Sequence, residues 1–181
     1  MMEDEQLVKL ALDGDDDALR ELHGRYVQHI YSYAYMQVHN HHDAEEILQD
    51  VFWKMARSLH QFKGKSSFKT WLFTISRNVT TDYLRKKARD KTVATDEIEA
   101  KTTAYAQSAE EEVLAGDDDL KEAMKLLSED HRTVLSLRFI HGCSLMETAK
   151  VMRRTVFSVK AMQSRASKKL AEILARKVGE A

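Results

Sequence analysis

Aromatic and basic side chains share one side of a predicted helix in residues 68–87, FKTWLFTISRNVTTDYLRKK. Helical spacing places Phe73, Arg77 and Arg85 together, on the side opposite Phe68 and its apolar neighbours. An exposed aromatic ring can stack on an unpaired base, while arginine and lysine neutralise phosphates. The segment therefore predicts a core side and a side suited to binding single-stranded nucleic acid, with a core helix that has a solvated basic end as the alternative. The residues assigned to that binding side are Phe73, Arg77, Arg85, Lys86 and Lys87.

A basic loop, residues 61–67, leads into this helix. Its two lysines flank Gly64, and two serines follow, either of which can cap the next helix. Such a loop can wrap an unstacked nucleotide, and an ordinary basic surface loop is an equally good interpretation. The candidate contacts in the loop are Lys63, Lys65, Ser66 and Ser67.

A second basic region near the end of the chain has the pattern of a helix-turn-helix. Ser144 and Glu147 have capping-box spacing and open a short helix, which ends near Met152. After a three-residue turn, a longer helix is predicted from Val156 to about Lys177. In a helix-turn-helix the second helix enters the DNA major groove, although a generic helix pair with a basic outer face is the alternative. The candidate DNA contacts are Arg153, Arg154, Phe157, Ser158, Lys160, Gln163, Ser164, Arg165 and Lys168.

The composition predicts an all-α fold. The chain of 181 residues is 43% hydrophobic, with no proline and six glycines, so long helices meet few residues that break them. A boundary is expected at the polar, acidic stretch before residue 120. The predicted organisation is two small helical domains, residues 1–91 and 120–181, joined by an acidic linker, residues 92–119, with the helix-turn-helix in the second domain.

The net charge of −1 conceals blocks of opposite sign. Residues 51–91 carry 11 basic and 2 acidic side chains, and residues 120–181 carry 13 basic and 6 acidic ones. The other two blocks are strongly acidic: 12 acidic against 3 basic in residues 1–50, and 9 against 1 in residues 92–119. Two basic blocks favour two polyanion-binding surfaces, with solvated helix faces as the alternative.

Enzymatic chemistry has little support in the sequence. It shows no glycine-rich phosphate loop and no assignable pair of catalytic carboxylates. His39, His41 and His42 precede Asp43, a run more typical of a solvated turn than of a metal site, and the single cysteine, Cys143, fits a packing role. No run has the length of a membrane span, and the start is acidic rather than signal-like. We expect a cytoplasmic protein, not an enzyme, with no metal, cofactor or small-molecule substrate.

Three segments together resemble the bacterial extracytoplasmic-function (ECF) RNA polymerase sigma factors. Residues 43–89 read DAEEILQDVFWKMARSLHQFKGKSSFKTWLFTISRNVTTDYLRKKAR. Residues 132–150 read RTVLSLRFIHGCSLMETAK, and residues 159–170 read VKAMQSRASKKL. The first resembles region 2 of that family and the other two its C-terminal region 4, in the family's order and with the acidic stretch between them.

The resemblance implies a role for each segment. Residues 1–91 would act as region 2 and dock on the β′ clamp helices of core RNA polymerase through Asp43, Glu46, Gln49 and Asp50. The loop 61–67 and the helix after it would bind the non-template strand of the promoter −10 element. Residues 120–181 would act as region 4, place their last helix in the −35 element and contact the β subunit. The linker would run near the RNA exit path. An anti-sigma factor is a further implied partner, able to hold the protein at the membrane.

The chain departs from the family pattern at three positions. The family often has proline at Ser128, glycine at Arg153 and arginine at Met162. A turn without glycine needs a conformation that Arg153 tolerates, and we expect a −35 preference different from the common one. The alternative to a sigma factor is a conventional helix-turn-helix regulator that binds duplex DNA by itself, with the N-terminal half as a sensing or dimerising domain.

Overall fold

The computed structural model describes residues 1–91 and 118–180, and all regular structure within these ranges is helical. The acidic linker predicted over residues 92–119 lies almost wholly outside the described residues, so the three domain bounds remain a prediction. Within the described ranges no helix is long and apolar enough to cross a membrane.

The N-terminal part, which the structure describes over residues 1–91, contains four α-helices and one short 3-10 turn. The helices are α1 (Asp4–Leu12), α2 (Asp16–Val38), α3 (His41–Ser58) and α4 (Phe68–Asp90), and the turn is Leu59–Gln61. Helix α2 packs against α1, α3 and α4. The fully buried side chains Leu22, Ile30, Ile47 and Leu72 lie in the core that these helices share.

The C-terminal part within residues 118–180 also contains four α-helices. They are α5 (Asp118–Lys125), α6 (Glu129–Leu135), α7 (Leu145–Met152) and α8 (Val156–Gly179), with a π-helical stretch, Ser136–Ile140, after α6. The regular α-helical hydrogen-bond pattern does not continue through residues 136–140. Instead, the backbone N–H of His141 donates to the carbonyl of Ser136, five residues earlier, at 3.0 Å.

Local capping explains where several helices begin. Ser67 accepts from the N–H of Thr70 and starts α4, and Ser128 accepts from the N–H of His131 and starts α6. Ser144 and Glu147 form the expected capping box of α7. Each cap satisfies an N–H group that has no partner inside its helix. Of the two serines offered as the cap of α4, Ser67 is the one that caps it, and the capping box predicted at Ser144 and Glu147 is confirmed.

The two parts pack against one another. Helix α4 contacts α7, and α2 contacts α5, α6 and the π-helical stretch. The side-chain amide of Gln37 in α2 donates to the hydroxyl of Thr133 in α6 at 3.0 Å, and both residues are buried. One hydrophobic core cluster includes residues of both parts. The two helical domains therefore share an interdomain interface.

Candidate nucleic-acid interface

Phe73 is buried, which corrects the prediction that its ring is exposed for base stacking. Its relative exposure is 0%, and its ring lies 5.9 Å from that of Tyr33 and 5.0 Å from that of His141, centroid to centroid. Tyr33 belongs to α2 and His141 to the C-terminal domain. The helical spacing was correct, but the side of α4 expected to face solvent faces the second domain.

The neighbouring residues of α4 share this environment. Arg77 is half-buried, and the hydroxyl of Thr81 donates to the Glu129 carboxylate of α6 at 2.6 Å. Lys69, one turn before Phe73, donates to the backbone carbonyl of His141 at 2.5 Å. The middle of α4 thus makes protein contacts where the sequence predicted a nucleic-acid surface.

The basic end of α4 is divided between solvent and protein. Arg85 and Lys86 are exposed, whereas the amine of Lys87 forms an ion pair with Asp43 of α3. An anionic ligand can reach the exposed side chains of Arg85 and Lys86 directly. Lys87 reaches a phosphate only by giving up its carboxylate partner.

Asp43 is also placed differently from the expectation. It is only 6% exposed, and its carboxylate accepts from the hydroxyl of Tyr83 at 2.6 Å as well as from Lys87. Burial raises the pKa of Tyr83, with the nearby Asp43 adding to the effect. Asp43 therefore joins α3 to α4, and it is removed from the polar stripe assigned to a protein partner.

The rest of that stripe is exposed and includes a residue that sequence reasoning missed. Glu46, Gln49 and Asp50 point outward from α3, and Trp53 on the same helix is 57% exposed. The guanidinium of Arg57 lies 4.6 Å from the Trp53 ring centroid, a cation–π contact. Trp53 lies three residues after Asp50, a spacing that gives both the same helix face.

A cavity of about 660 Å³ lies beside the start of loop 61–67. Its lining residues come from α3, the 3-10 turn and α4, and include Trp53, Arg57, His60 and Asn78. Lys63 and Lys65 of the loop are exposed, and Gly64 has φ 68°, a left-handed conformation that favours glycine. Aromatic, cationic and amide groups around one cavity match the chemistry that holds an unstacked base.

The loop serines differ from one another. Ser67 is used as the α4 cap, and its hydroxyl also donates to the hydroxyl of Thr70 at 2.9 Å. Ser66 is half-buried, and its hydroxyl donates to the carbonyl of Ser67 at 3.2 Å. Both hydroxyls already have local partners. The amine of Lys63 donates to the carbonyl of His60 at 3.1 Å, but Lys63 and Lys65 are both exposed, so the two lysines are the better placed loop contacts for an anionic strand.

The helix-turn-helix turns at Arg153, which has φ 53° and ψ 46°. This left-handed conformation is the one that glycine adopts most readily, and a non-glycine residue there is uncommon. The N–H of Arg153 still donates to the carbonyl of Lys150 at 3.3 Å, so α7 ends normally. The turn therefore forms with arginine at the position where the family often has glycine.

The outer side of α8 is exposed over more than three turns. Phe157 is 84% exposed, and further along the helix Lys160, Ser164, Arg165 and Lys168 also face solvent. The opposite side packs into the domain through the buried residues Val159, Met162 and Ala166. These five exposed side chains therefore form a surface that a DNA groove can reach.

The remaining candidates in this domain have internal partners. The side-chain oxygen of Gln163 accepts from Arg138 at 2.8 Å, and Arg154 pairs with Asp130 at 2.7 Å. Ser158 is half-buried, whereas Arg153 is exposed. Gln163 and Arg154 can reach DNA only by giving up these partners. They are therefore less available for DNA contacts than the five exposed residues of α8.

Histidines in the interdomain interface are held neutral. Burial lowers the pKa of His141 to about 3, with His29 and Lys69 adding to the effect. Burial also lowers the pKa of His39 to about 4, with Arg132 adding to the effect. The Nε2 atom of each ring is buried without a hydrogen-bond partner among the described residues. Protonation of either ring is therefore unfavourable while the domains are packed together.

Comparisons with known proteins relate both helical domains to one family. The Sigma-70 region 2 model matches residues 22–90, and the Sigma-70 region 4 model matches residues 123–172. SigX of Bacillus subtilis, an ECF RNA polymerase sigma factor, is 32% identical over 160 residues, which cover 86% of this chain and 82% of SigX. The ECF RNA polymerase sigma-E factor of Escherichia coli is 30% identical over 172 residues, covering 90% of each chain.

A solved structure has the same architecture. The sigma factor RpoE of Bartonella quintana, in complex with the anti-sigma factor NepR, matches with a TM-score of 0.70 and 25% identity, over 86% of this chain and 96% of RpoE. Two helical regions in this order, the second a helix-turn-helix, define a sigma factor of bacterial RNA polymerase. The chain belongs to the ECF sigma factors. It is an alternative sigma factor that acts in transcription initiation with core polymerase and promoter DNA.

Proposed function

We propose that the exposed stripe Glu46, Gln49 and Asp50 on α3 docks on the β′ clamp helices of core polymerase. The proposal rests on the exposure of these polar side chains along one helix. Asp43 supports the surface from within, through its contacts to Tyr83 and Lys87.

The −10 non-template strand binds along loop 61–67 and α4 in this proposal. Lys63, Lys65, Arg85 and Lys86 meet phosphates, and one unstacked base enters the cavity lined by Trp53 and Asn78. Their exposure and the position of the cavity beside the loop support this path. Strand opening is favoured because unpaired bases gain stacking and phosphate contacts that duplex DNA does not offer.

The −35 element is bound by the exposed side of α8. Lys160, Arg165 and Lys168 supply charge for phosphates or guanines, and Phe157 offers an apolar contact of the kind made with thymine methyl groups. The exposure of these side chains, with Arg153 exposed in the turn before the helix, supports this surface. Region 4 also contacts the β subunit in this proposal.

The protein acts in the cytoplasm as a binding factor and not as an enzyme, and an anti-sigma factor controls its access to polymerase. The similar RpoE of Bartonella quintana was solved in complex with the anti-sigma factor NepR, which supports a partner of this kind. An anti-sigma factor anchored in the membrane would hold the chain there until it is released. No metal, cofactor or small-molecule substrate is required for these roles.

The observation that carries the proposal is the presence of regions 2 and 4 together in one chain. Its test is run-off transcription of genomic fragments with purified core polymerase. We expect discrete transcripts that require both the chain and the core enzyme, and their start sites locate the promoter. A chain that binds duplex sites by itself and yields no transcript would instead be a conventional helix-turn-helix regulator.

Charge reversal on α3 provides a second test. Asp50→Lys should weaken binding to core polymerase at least tenfold, because it places a cation within the proposed acidic docking stripe. Affinity is measured by fluorescence anisotropy of labelled chain titrated with core enzyme. The matched control is Asp13→Lys, the same reversal at an exposed turn of the same domain. Equal affinities for the two variants would refute the docking surface.

Alanine at Lys160 or Arg165 should weaken −35 binding. We expect a loss of about 1–3 kcal/mol if the side chain contacts a base, and a salt slope reduced by about one if it contacts a phosphate. The measurement is the salt dependence of holoenzyme binding to the mapped promoter. Arg176→Ala, at an exposed site near the end of α8, is the control. Identical losses for all three arginine and lysine variants would mean that the outer side of α8 does not read the element.

A further inference from the structure

The basic end of α4 carries three cationic side chains in succession, and they differ in their surroundings. Arg85 and Lys86 are exposed, whereas the side chain of Lys87 is 40% exposed and turns toward α3. Its amine forms an ion pair with the carboxylate of Asp43. Position around the helix, and not charge, therefore separates Lys87 from its two neighbours as a contact for an anionic strand.

Asp43 is fixed in place by contacts that do not involve Lys87. Its side chain is 9% exposed and lies in the first turn of α3, where the positive end of the helix dipole stabilises a carboxylate. Its backbone N–H donates to the side-chain oxygen of Asn40 at 2.9 Å. One carboxylate oxygen accepts from the hydroxyl of Tyr83 at 2.6 Å, which leaves the other for Lys87. The carboxylate therefore keeps its position whether or not Lys87 is bound to it.

Lys87 is the movable member of the pair. Its amine is carried on a flexible stem of methylene groups, and the residue belongs to the last turn of α4. Lys86, the residue beside it, is exposed. Rotation of the Lys87 side chain can bring its amine from the carboxylate of Asp43 to a phosphate bound at Lys86, with the backbone unchanged. Asp43 then still accepts from Tyr83, so the departure of Lys87 leaves the carboxylate with a protein partner.

A cavity of about 380 Å³ between α3 and α4 shows which way Lys87 has to turn. Lys86 and Lys87 both line it, together with four acidic side chains. These are Glu46, Asp50, Asp82 and Asp90. Repulsion between like charges excludes a phosphate from this space and attraction retains the lysines there. The Lys87 amine must therefore leave this acidic space and turn outward before it meets a strand.

The exchange of one anionic partner for another changes strand affinity by a limited factor. A partly exposed ion pair shifts an equilibrium by about 1.5- to fivefold, because solvent screens the two charges. A strand that takes Lys87 from Asp43 loses about this factor in affinity. Each further phosphate neutralised on a single strand steepens the salt slope of binding by about 0.7. Affinity and salt slope together therefore show whether Lys87 contacts the strand.

We propose that Asp43 is a positioning residue that withholds Lys87 from the phosphates of the −10 strand. Lys87 becomes a strand contact only when a phosphate replaces the Asp43 carboxylate as its partner. The inference rests on the proposed strand-binding role of the basic end of α4. It makes Lys87 a conditional contact beside Arg85 and Lys86, and it gives Asp43 a part in strand affinity.

The test is Asp43→Asn in the full chain. Asparagine keeps an oxygen that can accept from Tyr83, but it removes the charge that holds Lys87. Binding of a fluorescein-labelled oligothymidylate of about 12 nucleotides is followed by anisotropy at several salt concentrations. We expect affinity to rise about three- to fivefold at low salt and the salt slope to steepen by about 0.7, because one more phosphate is neutralised.

Lys87→Gln completes a double-mutant cycle. In the Lys87→Gln background, Asp43→Asn should change affinity by less than about 1.5-fold and leave the slope unchanged, since no amine is released. Lys87→Gln alone should leave the slope of the parent chain unchanged. The matched control is Asp90→Asn, the same loss of charge at an exposed position one turn after Lys87. It should leave the slope at the parent value, because it releases no ion pair with Lys87.

Two results would overturn the proposal. One is a gain from Asp43→Asn that is equally large without Lys87, because the gain would then come from net charge alone. The other is a fall of about 0.7 in the salt slope for Lys87→Gln alone, which would show that Lys87 already contacts the strand. This second measurement decides the question even if Asp43→Asn does not fold, which circular dichroism detects.

Failure of the underlying strand-binding role has a different signature. The Arg85→Ala, Lys86→Ala double variant should weaken oligothymidylate binding and lower the salt slope by about 1.4, the value for two phosphates. An unchanged affinity for this variant would refute strand binding at this end of α4. Weaker binding by this variant, together with an unchanged slope for folded Asp43→Asn, would refute the role of Asp43 alone.

Discussion

Replacing Phe73 by alanine is expected to lower the free energy of unfolding by about 3 kcal/mol. The ring is fully buried between Tyr33 and His141, and Phe→Ala changes in cores cost about 3–5 kcal/mol. We expect a loss near the lower end of this range, because part of the packing around the Phe73 ring comes from His141, which belongs to the other domain. The loss is measured by urea unfolding followed by far-ultraviolet circular dichroism.

Phe157→Ala is the matched control for this prediction. The same ring is removed, but Phe157 is 84% exposed, so stability should change by no more than about 0.5 kcal/mol. Its effect should appear in binding to the −35 element. If Phe73→Ala leaves the unfolding midpoint unchanged, the ring is not part of the core, and the original prediction of an exposed base-stacking residue would be reinstated.

Acidification is expected to open the interdomain interface. The pKa of His141 is about 3 while the two domains are packed together, because the ring is buried, and it returns to about 6.5 when the ring is exposed. The open form therefore binds more protons below about pH 6.5, and the closed form loses stability as the pH falls. Between neutral pH and about pH 5, this group alone shifts the ratio toward the open form by about 30-fold, or about 2 kcal/mol.

The groups that face the His141 ring support this direction. His29 and Tyr33 of α2 and Lys69 of α4 surround it, with Cys143 nearby in its own domain. None of these provides an anion that would stabilise an imidazolium. His39 adds a change of the same sign, because burial also lowers its pKa.

The measurement is energy transfer, as a function of pH, between dyes attached at the exposed positions of Arg20→Cys and Glu172→Cys in a Cys143→Ala background. The parent chain should lose transfer between about pH 6.5 and 5, and His141→Phe should lose much less, with the remainder due to His39. Identical pH profiles for the two chains would show that His141 does not control the interface. A control in high salt separates this titration from general charge repulsion between the domains.

Local features of the structure were predictable from the sequence, because a cap or a helix end depends on residues within one turn. Ser67, Ser128 and Ser144 start helices through hydrogen bonds to N–H groups three residues away. The left-handed turn at Arg153 follows in the same way from the end of α7. The buried side of α8 was equally predictable, since its apolar residues have helical spacing.

The environment of Phe73 and Asp43 could not be predicted, because it depends on partners far away in the chain. Periodicity places Phe73 on the side of α4 away from the N-terminal core, but it does not say that a second domain covers that side. Asp43 has the charge of a surface residue and is buried because Tyr83 and Lys87 come from another helix. Trp53 is the opposite case, a residue type that is usually buried and is exposed here.

The most direct test of the central claim is permanganate probing of the mapped promoter, which detects unpaired thymines. We predict reactive thymines around the −10 element only when both the chain and core polymerase are present, with weaker reactivity for the Arg85→Ala, Lys86→Ala double variant at unchanged polymerase affinity. A promoter that stays fully paired with both proteins bound, or protection of duplex DNA by the chain alone without opening, would contradict the assignment as a sigma factor that promotes strand opening.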